Sequence, residues 1–132
     1  MISSNSAADP VRGSPQGRQP DWPERLAALT TAAEYRPFDA ARWNCGRFAM
    51  AAVVACTGQR PSWQHRPTLA EMADTAGFPR VAVPFARAGD VVLATDPDRL
   101  GVVLDAGRAA FVGPAGLLRL PITACTIAWR VG

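Results

Sequence analysis

The spacing of apolar residues changes once along this chain, at Gly77, and that change fixes the order of its helices and strands. Before Gly77, apolar residues recur at the spacing of amphipathic helices. After it, short runs of β-favouring residues are separated by tight turns at 105–107 and 113–116. Strands this close in sequence, with no helix between them, can pair only antiparallel. The sequence therefore predicts an α+β domain, with N-terminal helices packed on a C-terminal antiparallel sheet of five to six strands.

The ends of the predicted helices carry recognisable signals. A capping box begins at Thr68, and Gly58 follows the last apolar residue of the second helix. That second helix has a complete apolar face, which makes it the clearest element of the chain. The predicted helices span residues 21–36, 45–57 and 68–76. The predicted strands span residues 81–83, 90–95, 100–104, 109–112, 117–120 and 126–131.

The N-terminal segment differs in composition from the rest of the chain. Residues 1–20 are rich in Ser, Gly, Gln and Pro, and their only large apolar side chains are Ile2 and Val11. Such a segment cannot bury enough surface to offset its ordering entropy. We therefore expect a flexible arm at 1–20 and a single folded domain at 21–132. A neighbouring protein would hold the arm through Ile2, Val11, Arg12 and Arg18.

Several classes of protein are excluded by composition. The longest apolar run, residues 49–56, is far shorter than the ~20 residues of a membrane-spanning helix, so no membrane insertion is expected. The three cysteines form no CxxC pair, which favours a reducing compartment. Cys45 and Cys56 lie ~16 Å apart along one predicted helix and cannot share a metal ion. We predict neither a metal site nor a cofactor.

Arginine and tryptophan provide the candidate interaction residues. All 14 basic residues are Arg, and they are scattered singly rather than grouped in runs. This pattern predicts no nucleic-acid binding unless the fold gathers the arginines on one face. Trp43 and Trp63 lie in predicted loops, beside Arg42 and Arg66 respectively. Exposed Trp with Arg is typical of protein-contact hot spots, so Trp43, Trp63 and Arg66 are interface candidates, although core packing explains Trp43 equally well.

Cys45 is the residue with the clearest catalytic potential. It begins the second predicted helix, where the positive end of the helix dipole favours a thiolate. Papain-like hydrolases use this arrangement, with a cysteine at a helix start packed against a sheet that supplies histidine. The alternative is that Cys45 is a small apolar residue on a buried helix face.

From residue 22 to residue 130 the chain resembles the small NlpC-type, papain-like proteins encoded among phage tail-tip genes. The similar segments are ArgProPheAspAlaAlaArgTrpAsnCys at 36–45, PheAlaMetAlaAlaValValAlaCysThrGly at 48–58, AlaGlyAspValVal at 88–92, LeuGlyValValLeu at 100–104 and IleAlaTrpArgVal at 127–131. In that family an Asp-Cys pair begins the helix, a Gly-Asp strand follows, and the next strand opens with His. Cys45 and Gly89-Asp90 match this pattern, whereas Asn44 stands in place of the Asp.

By the same resemblance, the histidine position is occupied by Arg99. Arginine stays protonated and cannot accept a proton from a thiol. The following strand, 109–112, offers no polar residue to orient a base. His65 is the only histidine and the remaining candidate base. We expect Arg99 to pair instead with Asp90, Asp96 or Asp98, or with an acidic group of a partner.

The resemblance implies a papain-like domain that retains one thiol but lacks the rest of the catalytic site. The function expected from it is that of an adaptor in the tail tip or baseplate of a phage or phage-like particle. Its partners would be other tail proteins, and it would reside in the virion and, before assembly, in the host cytoplasm. The alternative is an active cysteine peptidase or amidase that cleaves peptidoglycan during infection, with Cys45 as nucleophile.

Overall fold

The computed structural model describes residues 17–105 and 107–132. Ile2, Val11 and Arg12, three of the predicted arm anchors, lie outside these residues. Within the described residues the α-helices are α1 (Trp22–Ala33), α2 (Cys45–Thr57) and α3 (Leu69–Asp74). The strands are β1 (Arg80–Val81), β2 (Val91–Ala94), β3 (Arg99–Asp105), β4 (Arg108–Gly113), β5 (Gly116–Pro121) and β6 (Cys125–Trp129). The predicted α+β order, helices first and strands second, is confirmed.

All six strands belong to one antiparallel sheet in the order β1-β6-β2-β3-β4-β5. From β2 to β5 the strands form a simple meander. The last strand, β6, inserts between β1 and β2, so that Trp129 lies opposite both Arg80 and Val91. The short β1 and the longer β5 form the two edges of the sheet.

Both helix-end signals named from the sequence are present: Gly58, with a φ of 75°, ends α2, and the capping box at Thr68 begins α3. Asn44 caps α2 by accepting a hydrogen bond from the Arg47 amide at 3.0 Å, and both bonds of the capping box at Thr68 are present. Asp21 precedes α1 but makes no side-chain cap. The α3 helix ends at Asp74 rather than near Ala76, because the next amides bond carbonyls three residues back.

No helix among the described residues is both long and apolar enough to cross a membrane.

Both faces of the sheet are covered. On one face α1, α2 and α3 pack over a core that includes Phe48, Val53, Leu100, Val102 and Trp129. On the opposite face Val92, Val103, Ala109, Phe111, Cys125 and Ala128 form a second cluster, against which the 3-10 turns at 83–85 and 122–124 pack. Successive side chains of a strand alternate between faces, so Leu100 and Val102 of β3 belong to the helix-facing core and Val103 belongs to the second cluster.

Gly101 in β3 is required by the packing of the second cluster. Its Cα lies under the ring of Phe111, and a Cβ at this position would lie 2.6 Å from the carbonyl oxygen of Ala110. No side chain fits in that space without moving the backbone of β4. The glycine of the LeuGlyValValLeu segment is therefore a packing residue rather than a site residue.

The Gly89-Asp90 pair forms a buried junction at the start of β2. The Asp90 carboxylate is fully buried and accepts hydrogen bonds from the Arg18 and Arg130 guanidinium groups and from the amides of Arg87 and Val131. Gly89 has a φ of 90°, and its Cα faces the Cys56 sulfur and Arg18 too closely for a Cβ. This junction, formed by Arg18, Asp90, Arg130 and the Val131 backbone, ties both ends of the described chain to the sheet.

The boundary predicted at residue 20 is too late for the part of the arm that the structure describes. The Arg18 side chain is only 7% exposed. It donates to the carbonyl oxygens of Ala88 and Val131, and its guanidinium carbon lies 4.3 Å from the centroid of the Trp22 ring. Gln19 also pairs with the end of α2 through the Cys56 carbonyl. Arg18 is thus an internal anchor of the domain, and its proposed role as an interface residue is corrected.

Candidate functional site

Cys45 is the first residue of α2 and is half-buried. It lies on the helix face that packs against the core beneath the helices. Among the described residues its sulfur makes no hydrogen bond with an imidazole or a carboxylate. Asn44, which stands in the Asp position of the resembling motif, has a structural role, because its side chain caps α2 and also donates to the Ala40 carbonyl oxygen.

The other two thiols are buried in the two cores. Cys56 has no exposed surface, and burial raises the pKa of its thiol despite the nearby Arg18. Burial also raises the pKa of the Cys125 thiol on the opposite face of the sheet. Both groups are therefore harder to ionise than a free cysteine. Of the three cysteines, Cys45 alone combines partial exposure with a helix start.

Arg99 lies on the face of the sheet opposite the helices. It begins β3 on the same side as Gly101, and its guanidinium carbon is 5.7 Å from the centroid of the Phe111 ring. Its Nε is buried and has no hydrogen-bond partner in the described part of the chain. The neighbouring Leu100 is the residue that points toward α2. At the position where the resemblance expects a base, the side chain thus lies on the far face.

The expected pairing of Arg99 with a nearby carboxylate is wrong for the described residues. Asp90 is already occupied by Arg18 and Arg130. Neither Asp96 nor Asp98 forms an ion pair with Arg99, and both are exposed in the turn between β2 and β3. Arg99 and the three aspartates are near one another in sequence. In the structure, Arg99 lies on the far face of the sheet, and Asp90 is enclosed in the buried junction.

His65 lies exposed in the loop between α2 and α3. Its backbone oxygen accepts a hydrogen bond from Arg66, while its ring makes none within residues 17–105 and 107–132. Arg66 in turn binds the side chain of Gln64. The structure does not bring the predicted nucleophile and the candidate base into hydrogen-bonding contact.

A groove of about 740 Å³ is lined by residues of α2 and of the loops on either side of it. We call it the α2 groove. It unites Trp43 and Trp63, two predicted interface residues that are distant in sequence. Arg66, the third candidate, lies instead at a separate shallow surface beside Glu71 and Asp74. The α2 groove is lined by Arg36, Arg42, Trp43, Asn44, Gly46, Arg47, Met50, Ala51, Val54, Arg60 and Trp63.

Trp43 is part of the groove wall but is not an exposed residue. It is 6% exposed, and its ring packs edge-on against Phe48 with 5.8 Å between centroids. The guanidinium carbon of Arg36 lies 4.2 Å from the centroid of the same ring. The indole N–H has no hydrogen-bond partner among the described residues. Trp43 is therefore a core residue, which is the alternative that the sequence left open. Trp63 is only partly buried.

The comparisons with known proteins give a family but no activity. A family model described as "Domain of unknown function (DUF6950)" matches residues 17–71 and 63–131. The chain belongs to this DUF6950 family. The first matched segment holds Arg18 and all of α2, and the second holds the whole sheet. No curated protein matches the chain.

The described arginines of this DUF6950 domain differ in whether they pair with a carboxylate, and Arg25, Arg66, Arg87 and Arg99 form no ion pair with the described residues although they lie outside the α2 groove. Those outside the α2 groove include Arg18, Arg80, Arg108, Arg119 and Arg130, each in an ion pair with a carboxylate at 3.4 Å or less. Within the groove, the closest carboxylate contact is from Arg42 to Asp39 at 3.9 Å. No group of three His, Cys, Asp or Glu residues in the described chain is arranged to hold a metal ion. The α2 groove is thus a cationic, partly aromatic surface.

Proposed function

We propose that this DUF6950 domain is an adaptor in the tail tip or baseplate of a phage or phage-like particle, built on a catalytically degenerate, papain-like NlpC-type domain. The proposal starts from the ordered set of NlpC-like segments in the sequence. The α+β order and the cysteine at the start of a helix packed on an antiparallel sheet are consistent with it. Its partners would be neighbouring tail proteins.

The observation that carries the proposal is the position of Arg99. A cysteine hydrolase needs a base that takes the thiol proton and returns it to the leaving group. The residue at the corresponding position is a guanidinium on the far face of the sheet, packed on Phe111. An arginine cannot accept that proton, and Cys45 has no hydrogen-bonded imidazole among the described residues. Among the described residues, the Cys45 thiol therefore has no proton acceptor in hydrogen-bonding contact.

The α2 groove supports a function in binding other proteins. The α2 groove combines cationic groups with aromatic and apolar ones, as protein-contact sites do. The proposed adaptor needs no metal or other cofactor. It would act in the virion, at the tail tip, after synthesis in the host cytoplasm.

The alternative is an active cysteine peptidase or amidase that cleaves peptidoglycan during infection. The partial exposure of Cys45 at a helix start favours this alternative. Its base would have to be His65, which would need to move from its exposed loop to the start of α2. Peptidoglycan would then be the substrate rather than a structural partner.

The test is whether the protein is a component of assembled particles. The gene is deleted in the phage or prophage that encodes it and complemented with the wild-type gene. Particles are then purified by density gradient, examined by electron microscopy and analysed by quantitative mass spectrometry. We expect the wild-type protein at a fixed ratio to the tail proteins, and defective tails in its absence. Normal, fully infectious particles that lack the protein would contradict the proposal.

A further inference from the structure

We propose that the α2 groove binds a carboxylate-rich segment of another polypeptide. This inference rests on the proposed adaptor function and specifies the chemistry of the partner. Its basis is the convergence of Arg36, Arg42, Arg47 and Arg60 on one groove whose lining includes no acidic residue. Sequence separation hides this convergence, since the four arginines come from three different parts of the fold.

The groove arginines are positioned by well-defined elements. Arg47 lies in the first turn of α2, where Asn44 caps its backbone amide. Arg36 stacks on Trp43, which is itself fixed by the edge-on contact with Phe48. Arg60 follows the end of α2 at Gly58. The Arg36 guanidinium is therefore held by stacking, and a guanidinium held in one orientation loses less conformational freedom when it forms a paired hydrogen bond with a carboxylate.

Charge distribution indicates an anionic ligand. Arg36, Arg47 and Arg60 are exposed and form no ion pair with the described residues, and the single contact of Arg42 with Asp39 is long and exposed. Many of the other arginines are neutralised locally by carboxylates. Other arginines outside the groove, such as Arg25 and Arg87, also form no ion pair with the described residues. What distinguishes the α2 groove is the convergence of four arginines on one lining without a carboxylate, which favours the approach of a complementary negative segment.

The size and lining of the groove favour a polypeptide over a nucleic acid. Met50, Ala51, Val54 and Trp63 supply an apolar strip beside the arginines. A peptide can match both parts, with carboxylates on the arginines and apolar side chains on the strip. Nucleic acid requires a longer basic track that follows successive phosphates. The N-terminal segment of this chain is a poor occupant, because residues 1–16 contain only one acidic residue, Asp9.

The test uses the full chain and a fluorescein-labelled peptide in which glutamates alternate with leucine and alanine, with binding measured by fluorescence anisotropy. A peptide with glutamine in place of glutamate and a labelled oligo-dT of similar length are the comparison probes. We expect the glutamate peptide to bind most tightly and to weaken as NaCl is raised. Arg47→Gln/Arg60→Gln should weaken it by about tenfold or more, since two charge-assisted hydrogen bonds are lost.

Two further variants test whether peptide binding depends on the position of the charges and on open space in the groove. Arg25→Gln/Arg87→Gln removes the same charge from two exposed arginines outside the groove that, like Arg47 and Arg60, form no ion pair with the described residues, and should change the affinity by less than about twofold. A Cβ on Gly46 would make only ordinary contacts with Asn44 and Trp63, so Gly46→Leu fits the helix and projects into the groove. This variant should reduce peptide binding without a change of charge.

The inference is overturned if the glutamine peptide binds as tightly as the glutamate peptide, or if oligo-dT binds more tightly. Equal loss of binding in the groove variant and the charge-matched control would also overturn it. These results leave the adaptor function standing if the protein is still found in particles. Conversely, groove-dependent binding of the glutamate peptide by a protein absent from particles would support the site and refute the particle role.

Discussion

Replacing Asp90 by alanine is expected to reduce the free energy of unfolding by about 3–5 kcal/mol. The substitution removes the fully buried carboxylate that accepts hydrogen bonds from two guanidinium groups and two backbone amides. Arg18 would remain buried without its charge partner, and burial already lowers the pKa of its guanidinium. Urea unfolding followed by tryptophan fluorescence measures the loss.

Asp98→Ala is the matched control for this substitution. Asp98 is exposed and forms no ion pair with the described residues, so its removal should change stability by less than about 0.5 kcal/mol. If Asp90→Ala were as mild as Asp98→Ala, the junction at the start of β2 would not be the structural centre that we describe. If Asp90→Ala does not fold, Asp90→Asn can be measured instead. It keeps the shape of the side chain but removes the charge, and its loss of stability should lie between those of Asp98→Ala and Asp90→Ala.

Arg18→Ala is expected to cost about 2–4 kcal/mol, because it removes three hydrogen bonds from a nearly buried cation and its stacking on Trp22. Arg25→Ala, at an exposed position of α1, should stay within about 1 kcal/mol of wild type. Arg18 and Asp90 share one network, so the double variant should be less destabilised than the sum of the single variants. Full additivity would show that the two side chains act independently.

Local sequence signals were sufficient to predict most of the secondary structure. The apolar period of α2, the capping box at Thr68 and the tight turns after β3 and β4 are properties of neighbouring residues, and the structure confirms each of them. The position of Arg18 could not be found in this way. Its hydrogen-bond partners lie 70 or more residues away, and its only named local contact is the Trp22 ring, so no local pattern distinguishes it from the other residues of segment 1–20.

The candidate site was predicted less completely than the fold. The helix start at Cys45 and the loop positions of Trp43 and Trp63 follow from the sequence. The orientation of Arg99 depends on which residues of β3 face α2, and Leu100 is the more apolar choice for the helix-facing core. The α2 groove depends on the three-dimensional path of the chain, because Arg36 and Arg60 flank different ends of the α2 region. Only the folded structure brings the arginines together.

The most direct test of the account is the infectivity of particles that carry Cys45→Ala. If the adaptor proposal is right, we expect these particles to assemble normally and to have the same infectious titre per particle as wild type, because no imidazole or carboxylate of the described residues is hydrogen-bonded to the Cys45 thiol. Thermal melting of the purified variant checks that the domain remains folded. Normal assembly and folding with a large loss of infectious titre would contradict the adaptor account and identify Cys45 as a nucleophile.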